Sequence, residues 1–231
     1  REILERSCKF NEEGYPVLIF DFRNHGQSDD EKVSLGLKER LDFLGAYEFL
    51  KQTKGKRRFV LMGVSMGAVA AIHAAVDCQQ DLDGVIADSP FQNLKETVAQ
   101  HTGLLLNLPS FPFVDVFVWN LARTNGISAD DLDTVKAFER VPEVAALLIY
   151  GGEDRRMPPA TARRIFDSIT DPKKRLVLFE GARHGAAYRS NPKRYMKASF
   201  DFLLREQVPL HPGRGTNIVQ KSNPKSNWEG K

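Results

Sequence analysis

Residues 59–75, FVLMGVSMGAVAAIHAA, set an apolar run, a GxSxG pentad and an alanine-rich stretch end to end. A short apolar strand that passes straight into a helix leaves almost no room for a turn, so the residue at the bend takes a strained backbone conformation. Gly63 and Gly67, two positions to either side of Ser65, let the two backbones approach closely. Val60, Leu61 and Met62 supply the buried strand, and Ala68, Val69, Ala70, Ala71, Ile72, Ala74 and Ala75 supply a small-residue helix that packs beneath a sheet. A serine at such a bend is presented at the C-terminal end of a strand and the N-terminal end of a helix, the arrangement of a nucleophile elbow. The bare pentad is a weak signal, and its flanks carry the reading.

The chain around the elbow alternates between strand and helix patterns. Residues 1–13 read as a helix stopped by Gly14, 17–22 (VLIFDF) as a parallel strand followed by the loop RNHGQSDD, and 36–52 as a helix. Further strands are expected at 83–88, 147–152 and 175–181, with helices near 159–170 and 192–206. Nearly all-apolar strands separated by helical patterns predict an α/β fold, a mostly parallel sheet with helices on both faces. Residues 1–206 form this one domain, and the long segment 91–145 between two of its strands reads as a helical cap insertion. Within it GLLLNLPSFPFVDVFVWNL, 103–121, is long enough to span a membrane, but Asn107, Pro109, Pro112 and Asp115 argue against that; the segment suits a lid over an apolar pocket or, equally, cap helices packed simply against the body. The polar, proline- and glycine-bearing stretch 207–231 reads as a disordered tail.

Composition excludes some functions. Thirty-three basic against 30 acidic residues, a net charge of +3, is too balanced for a nucleic-acid partner. Cys8 and Cys78 form neither a CxxC pair nor a disulfide framework, and both read as packing residues. Residue 1 is Arg and no signal peptide follows it, so the sequence reads as an N-terminally truncated fragment.

A serine nucleophile needs a base to take its proton and a carboxylate to orient that base. Of five histidines, His184 in FEGARHG lies just beyond the last strand, at the sheet end where ligand sites of open α/β folds collect. His25, in the loop after 17–22, is the one rival; His73 lies in the elbow helix, His101 in the cap and His211 in the tail. For the acid, YGGEDRRMPP places Asp154 directly after a strand, with Asp88 in ADSP as the alternative and Asp21 read as a structural partner of Arg23. The order Ser65, Asp154, His184 is the Ser, acid, His order of one hydrolase fold.

Through DFRNHGQSD (21–29), GVSMG (63–67), GGEDRRMPP (151–159) and GARHG (181–185), residues 1–206 resemble the α/β-hydrolase superfamily, most closely its lysophospholipase-like and prolyl-oligopeptidase-like serine hydrolases. The resemblance implies that the Met66 backbone N–H is one oxyanion donor and that the second comes from a loop ahead of the first helix, which this chain does not contain. It implies a serine esterase or lipase acting on a small acyl substrate through an acyl-enzyme, without metal or cofactor. An amidase or peptidase with the same triad, and a non-catalytic binding protein of the same fold, are the alternatives. Some members carry an N-terminal membrane anchor, so the expected location is cytoplasmic or membrane-anchored, with membrane contact only through the missing N-terminus or the apolar cap. A Ser nucleophile argues against the branches that use Asp.

Overall fold

The computed structural model describes residues 2–54, 58–106 and 108–206. They fall into two units, one ending at Glu31 and one beginning at Lys32.

In the first unit, α1 (Glu2–Glu12) ends in a turn with Gly14 at φ 85. Residues 17–22 do not form the parallel strand expected of them. Val17, Leu18 and Ile19 are 43%, 37% and 39% exposed, and the stretch pairs with no strand among the described residues. A strand is held by hydrogen bonds to a neighbour, and an apolar run without one has no ladder to join. The loop that follows closes on Asp21, whose carboxylate accepts from the Gln27 N–H at 3.3 Å and whose carbonyl accepts from the Ser28 hydroxyl at 2.7 Å.

The second unit is built on four parallel strands lying side by side in chain order: β1 (Phe59–Val64), β2 (Leu82–Asp88), β3 (Ala145–Gly151) and β4 (Arg175–Phe179). Every residue of β2 and β3 is buried, as in a sheet covered on both faces. Ahead of the sheet comes α2 (Arg40–Lys54). Then α3 (Met66–Cys78) joins β1 to β2, and α4 (Leu94–His101), α5 (Phe113–Asn125) and α6 (Thr134–Glu139) lie between β2 and β3. The order continues with α7 (Pro159–Ser168) between β3 and β4, and ends with α8 (Ala187–Ser190) and α9 (Pro192–Arg205). This is the α/β architecture read from the alternation of patterns. Helix α3 packs against β1, β2, α2 and α6, and Ala68 to Ile72 have no exposed surface; a helix apolar all round is a core helix. Gly84 in β2 leaves the space that the Phe202 ring of α9 fills, since a Cβ there would stand 2.7 Å from it.

The segment between β2 and β3 is pinched at a neck. Asn93 and Asp133 form a bridge, and the Thr134 N–H donates to the Gln92 carbonyl at 2.8 Å. Both neck residues also cap helices, Asn93 accepting from the Glu96 N–H and Asp133 from the Val135 and Lys136 N–H groups. Beyond this neck α6 packs against α3 and α7. The apolar stretch 103–121 is divided between a π-helical turn at Thr102–Leu106 and α5. No helix among the described residues is long and apolar enough to cross a membrane. The expected tail, 207–231 with His211, lies outside the described residues.

Candidate active site

Ser65 occupies the bend between β1 and α3 with φ 54 and ψ −118, a region that residues bearing a side chain rarely adopt. Its N–H donates to the Asp88 carbonyl at 2.7 Å, and its carbonyl accepts from the N–H groups of Ala68 and Val69 at 2.9 and 3.1 Å. The strain is thus held from both sides. The first glycine of the pentad is a steric requirement, because a Cβ on Gly63 would stand 2.1 Å from the Gly67 carbonyl oxygen.

The turn after β3 delivers Asp154, whose side chain is fully buried. Its Oδ1 accepts from the N–H groups of Arg156 and Met157 at 2.9 and 2.8 Å, which leaves Oδ2 facing His184 Nδ1 at 2.8 Å. His184, on the loop after β4, has its Nε2 2.9 Å from the Ser65 Oγ. The structure therefore joins Ser65, His184 and Asp154, three residues from three different strand ends, in one hydrogen-bonded chain. With the carboxylate on Nδ1, the imidazole carries its proton there and turns an acceptor nitrogen to the hydroxyl. Met66 is the first residue of α3, where a backbone N–H has no partner within the helix.

The other candidates have surroundings of their own. His25 Nδ1 lies 2.9 Å from the Arg23 carbonyl, within its own loop. His101 Nδ1 lies 2.8 Å from the Thr97 carbonyl at the end of α4. His73 is buried in α3, and burial, with the Arg40 charge nearby, lowers its pKa to about 4. The Asp88 carboxylate accepts from the adjoining Ser89 hydroxyl at 3.0 Å. Cys78 packs in the core, where burial first and the Asp77 and Asp81 charges next push its thiol up to about 12, whereas Cys8 is exposed rather than packed. Among the described residues no group of three or more His, Cys, Asp or Glu is arranged to hold a metal.

Two positioning residues escape a reading of the sequence. Ser89, fully buried with φ 56, donates its N–H to the Ile149 carbonyl at 2.7 Å, and its hydroxyl accepts from the Gly185 N–H at 3.3 Å. Gly151 lets the acid-bearing turn lie against the loop of His184: a Cβ there would stand 2.2 Å from the Ala182 carbonyl, the group that accepts from the Glu153 N–H at 2.9 Å. The serine-proline pair Ser89-Pro90 at a strand end and the double glycine before Glu153 and Asp154 are the local traces of the two.

The model of the alpha/beta hydrolase family matches residues 9–198. The Bacillus subtilis (strain 168) protein YqkD is 30% identical over 192 residues, 82% of this chain and 62% of that protein. The lysophosphatidylserine lipase ABHD12 of Danio rerio is 25% identical over 191 residues, covering 77% of this chain and 48% of that one. This chain thus spans less than two thirds of either relative. Among solved structures, the Pyrococcus furiosus esterase Pf2001 superposes with a TM-score of 0.68 at 25% identity, over 88% of this chain and 72% of the other. With the family model covering most of its length and the parallel sheet and elbow in place, the chain belongs to the alpha/beta hydrolase family.

Proposed function

We propose that this protein is a serine hydrolase that cleaves carboxylic esters through an acyl-enzyme formed on Ser65. The observation that carries the reading is the continuous hydrogen-bonded chain from the Ser65 hydroxyl through His184 to Asp154, 2.9 and 2.8 Å long. In this reading His184 Nε2 takes the hydroxyl proton as Oγ attacks the ester carbonyl, then returns it to the leaving alcohol. The Asp154 carboxylate holds the Nδ1 proton and stabilises the imidazolium that forms. The Met66 N–H, at the positive end of the α3 dipole, donates to the developing oxyanion. Water deacylates the enzyme by the same proton path in reverse, so the chemistry asks for no cofactor. The relative named as a lysophosphatidylserine lipase and the structure named as an esterase support an acyl ester, with lysophospholipids a subclass to be assayed.

Fluorophosphonate labelling of the wild type and of Ser65→Ala tests the nucleophile, and p-nitrophenyl esters, lysophospholipids and aminoacyl anilides assayed in parallel test the substrate class. Labelling that persists in Ser65→Ala, or anilides cleaved faster than esters, would overturn the assignment.

A further inference from the structure

The last strand, β4, is an edge of the sheet. A groove of about 610 Å³ runs along it, with residues of α7 on one wall, residues of α9 on the other, and Arg175 to Leu178 between them. Such an edge presents a row of backbone N–H and C=O groups on its outer side, and no strand among the described residues pairs with them. The lining is strongly one-sided in charge. Arg163, Lys174, Arg175, Arg194 and Lys197 face a single anion, Asp201. Two of these cations are engaged: Lys197 pairs with Asp201 at 2.8 Å, and Lys174 donates to the Phe166 and Ile169 carbonyls. Arg163 and Arg194 are exposed on opposite walls, Arg194 lying over the Phe179 ring at 4.7 Å.

From this placement we propose that the β4 groove is a docking site for an extended acidic peptide segment of a partner protein, which adds to the sheet as a fifth strand. Backbone pairing along β4 supplies the register, the apolar parts of Leu176, Val177, Leu178 and Phe166 receive the peptide's apolar side chains, and the arginines on the two walls receive its carboxylates. Charge decides among occupants. A second copy pairing edge to edge would bring five cations against five. The chain's own stretch 207–231 is also basic, with Arg214, Lys221, Lys225 and Lys231 against Glu229. A nucleic acid matches the charge but has no use for an unpaired strand edge.

The probe is a fluorescein-labelled peptide of roughly ten residues in which pairs of glutamates alternate with pairs of valines, so that each face of the strand carries both kinds of side chain, followed by anisotropy against the 231-residue chain. A second peptide with proline in place of each valine keeps the charge but cannot donate its share of ladder hydrogen bonds. Saturable binding is expected that weakens at least about tenfold from low to high salt and by a similar factor with the proline peptide. Arg163→Glu/Arg194→Glu loses about tenfold or more in affinity while ester turnover stays within about twofold of the parent. Bound peptide also slows hydrogen exchange of amides within 175–178. The proposal is overturned by absence of binding, by equal binding of the proline peptide or of a single-stranded oligonucleotide, by undiminished binding to the charge-reversed variant, or by a dimer in solution whose β4 amides are already protected without peptide.

Discussion

Asp154→Asn is the substitution that most directly tests how the site is wired. The carboxylate is held at both oxygens: Oδ1 accepts two backbone N–H groups, from Arg156 and Met157, and Oδ2 meets His184 Nδ1. An asparagine has one acceptor oxygen, and the two N–H donors claim it. Turning the amide over would set its NH₂ against both of them, at a cost of about 1–3 kcal/mol for each bond left unmade. The amide NH₂ therefore faces Nδ1, which can then only accept, and the imidazole proton moves to Nε2. That nitrogen now points an N–H at the Ser65 hydroxyl 2.9 Å away and cannot take its proton. Loss of the correct tautomer in such a triad costs about 10⁴ in turnover, or roughly 5 kcal/mol of transition-state stabilisation. Because the turn keeps its two backbone bonds, thermal stability should change little. Asp154→Ala provides the contrast: it strands both N–H groups and should lose about 2–6 kcal/mol of stability as well as activity. The measurements are kcat on a p-nitrophenyl ester, the rate of fluorophosphonate labelling and the melting temperature. If Asp154→Asn kept turnover within about tenfold of the parent, the tautomer argument and the role given to Asp154 would both be wrong.

Three further substitutions probe independent parts of the structure. Gly63→Ala forces a Cβ into the Gly67 carbonyl, where no flexible side chain can yield; a loss of about 3 kcal/mol and roughly 10 °C in melting temperature is expected, and a shift under about 2 °C would refute the steric account. His184→Ala should lower ester turnover by about three orders of magnitude or more, while His25→Ala stays near the parent value; the reverse outcome would move the base role to the loop of His25. His73, whose folded pKa is depressed to about 4 from 6.5, contributes stability that is fully present above pH 6.5 and is lost as pH falls towards 4. The unfolded state binds the extra proton in that window, so about 3 kcal/mol should disappear across it, and His73→Gln should flatten the melting temperature against pH there; an unchanged slope would sink the assignment.

What could be read in the sequence is what local sterics and local pattern dictate. The elbow was legible because glycine spacing, apolar strand and alanine helix all answer one close approach within a dozen residues. The four strands of the second unit were legible because burial on both faces leaves them almost wholly apolar. Residues 17–22 have the same composition and still form no strand, since strand formation is a property of a pair and nothing in VLIFDF specifies a neighbour. The prolines of 103–121 fall between the π-helical turn and α5, whereas the packing of α6 against α3 and α7 is a distant contact that no periodicity reports. Ser89 was hidden for the same reason, its partner Gly185 lying 96 positions away.

Those distant contacts explain how three loops that never meet in sequence hold ångström geometry. Strands β1, β3 and β4 carry the serine, acid and histidine at their C-terminal ends, and β2 separates the first of them from the other two. Adjacent strands lie about 4.8 Å apart, so the serine's strand and the acid's strand stand roughly 10 Å apart, too far for direct contact between their ends. The end of β2 fills this interval without giving a side chain to the hydrogen-bonded chain. The Asp88 carbonyl fixes the Ser65 N–H, the Ser89 N–H fixes the end of β3 at Ile149, and the Ser89 hydroxyl receives the N–H of Gly185, next to the histidine. One dipeptide thus ties the strand ends that carry Ser65 and Asp154 and the loop of His184 to a single reference point. Ser89→Ala removes only the last of these ties, so it should loosen the base while leaving the elbow and the acid in place. The expected signature is a drop in kcat of about tenfold with KM nearly unchanged, beside a loss of about 2–4 kcal/mol and roughly 5–10 °C in melting temperature, because the hydroxyl's bond to the buried Asp88 carboxylate is lost together with the tie to Gly185. A KM effect with unchanged kcat would instead place Ser89 in substrate binding and break the argument that β2 registers the site.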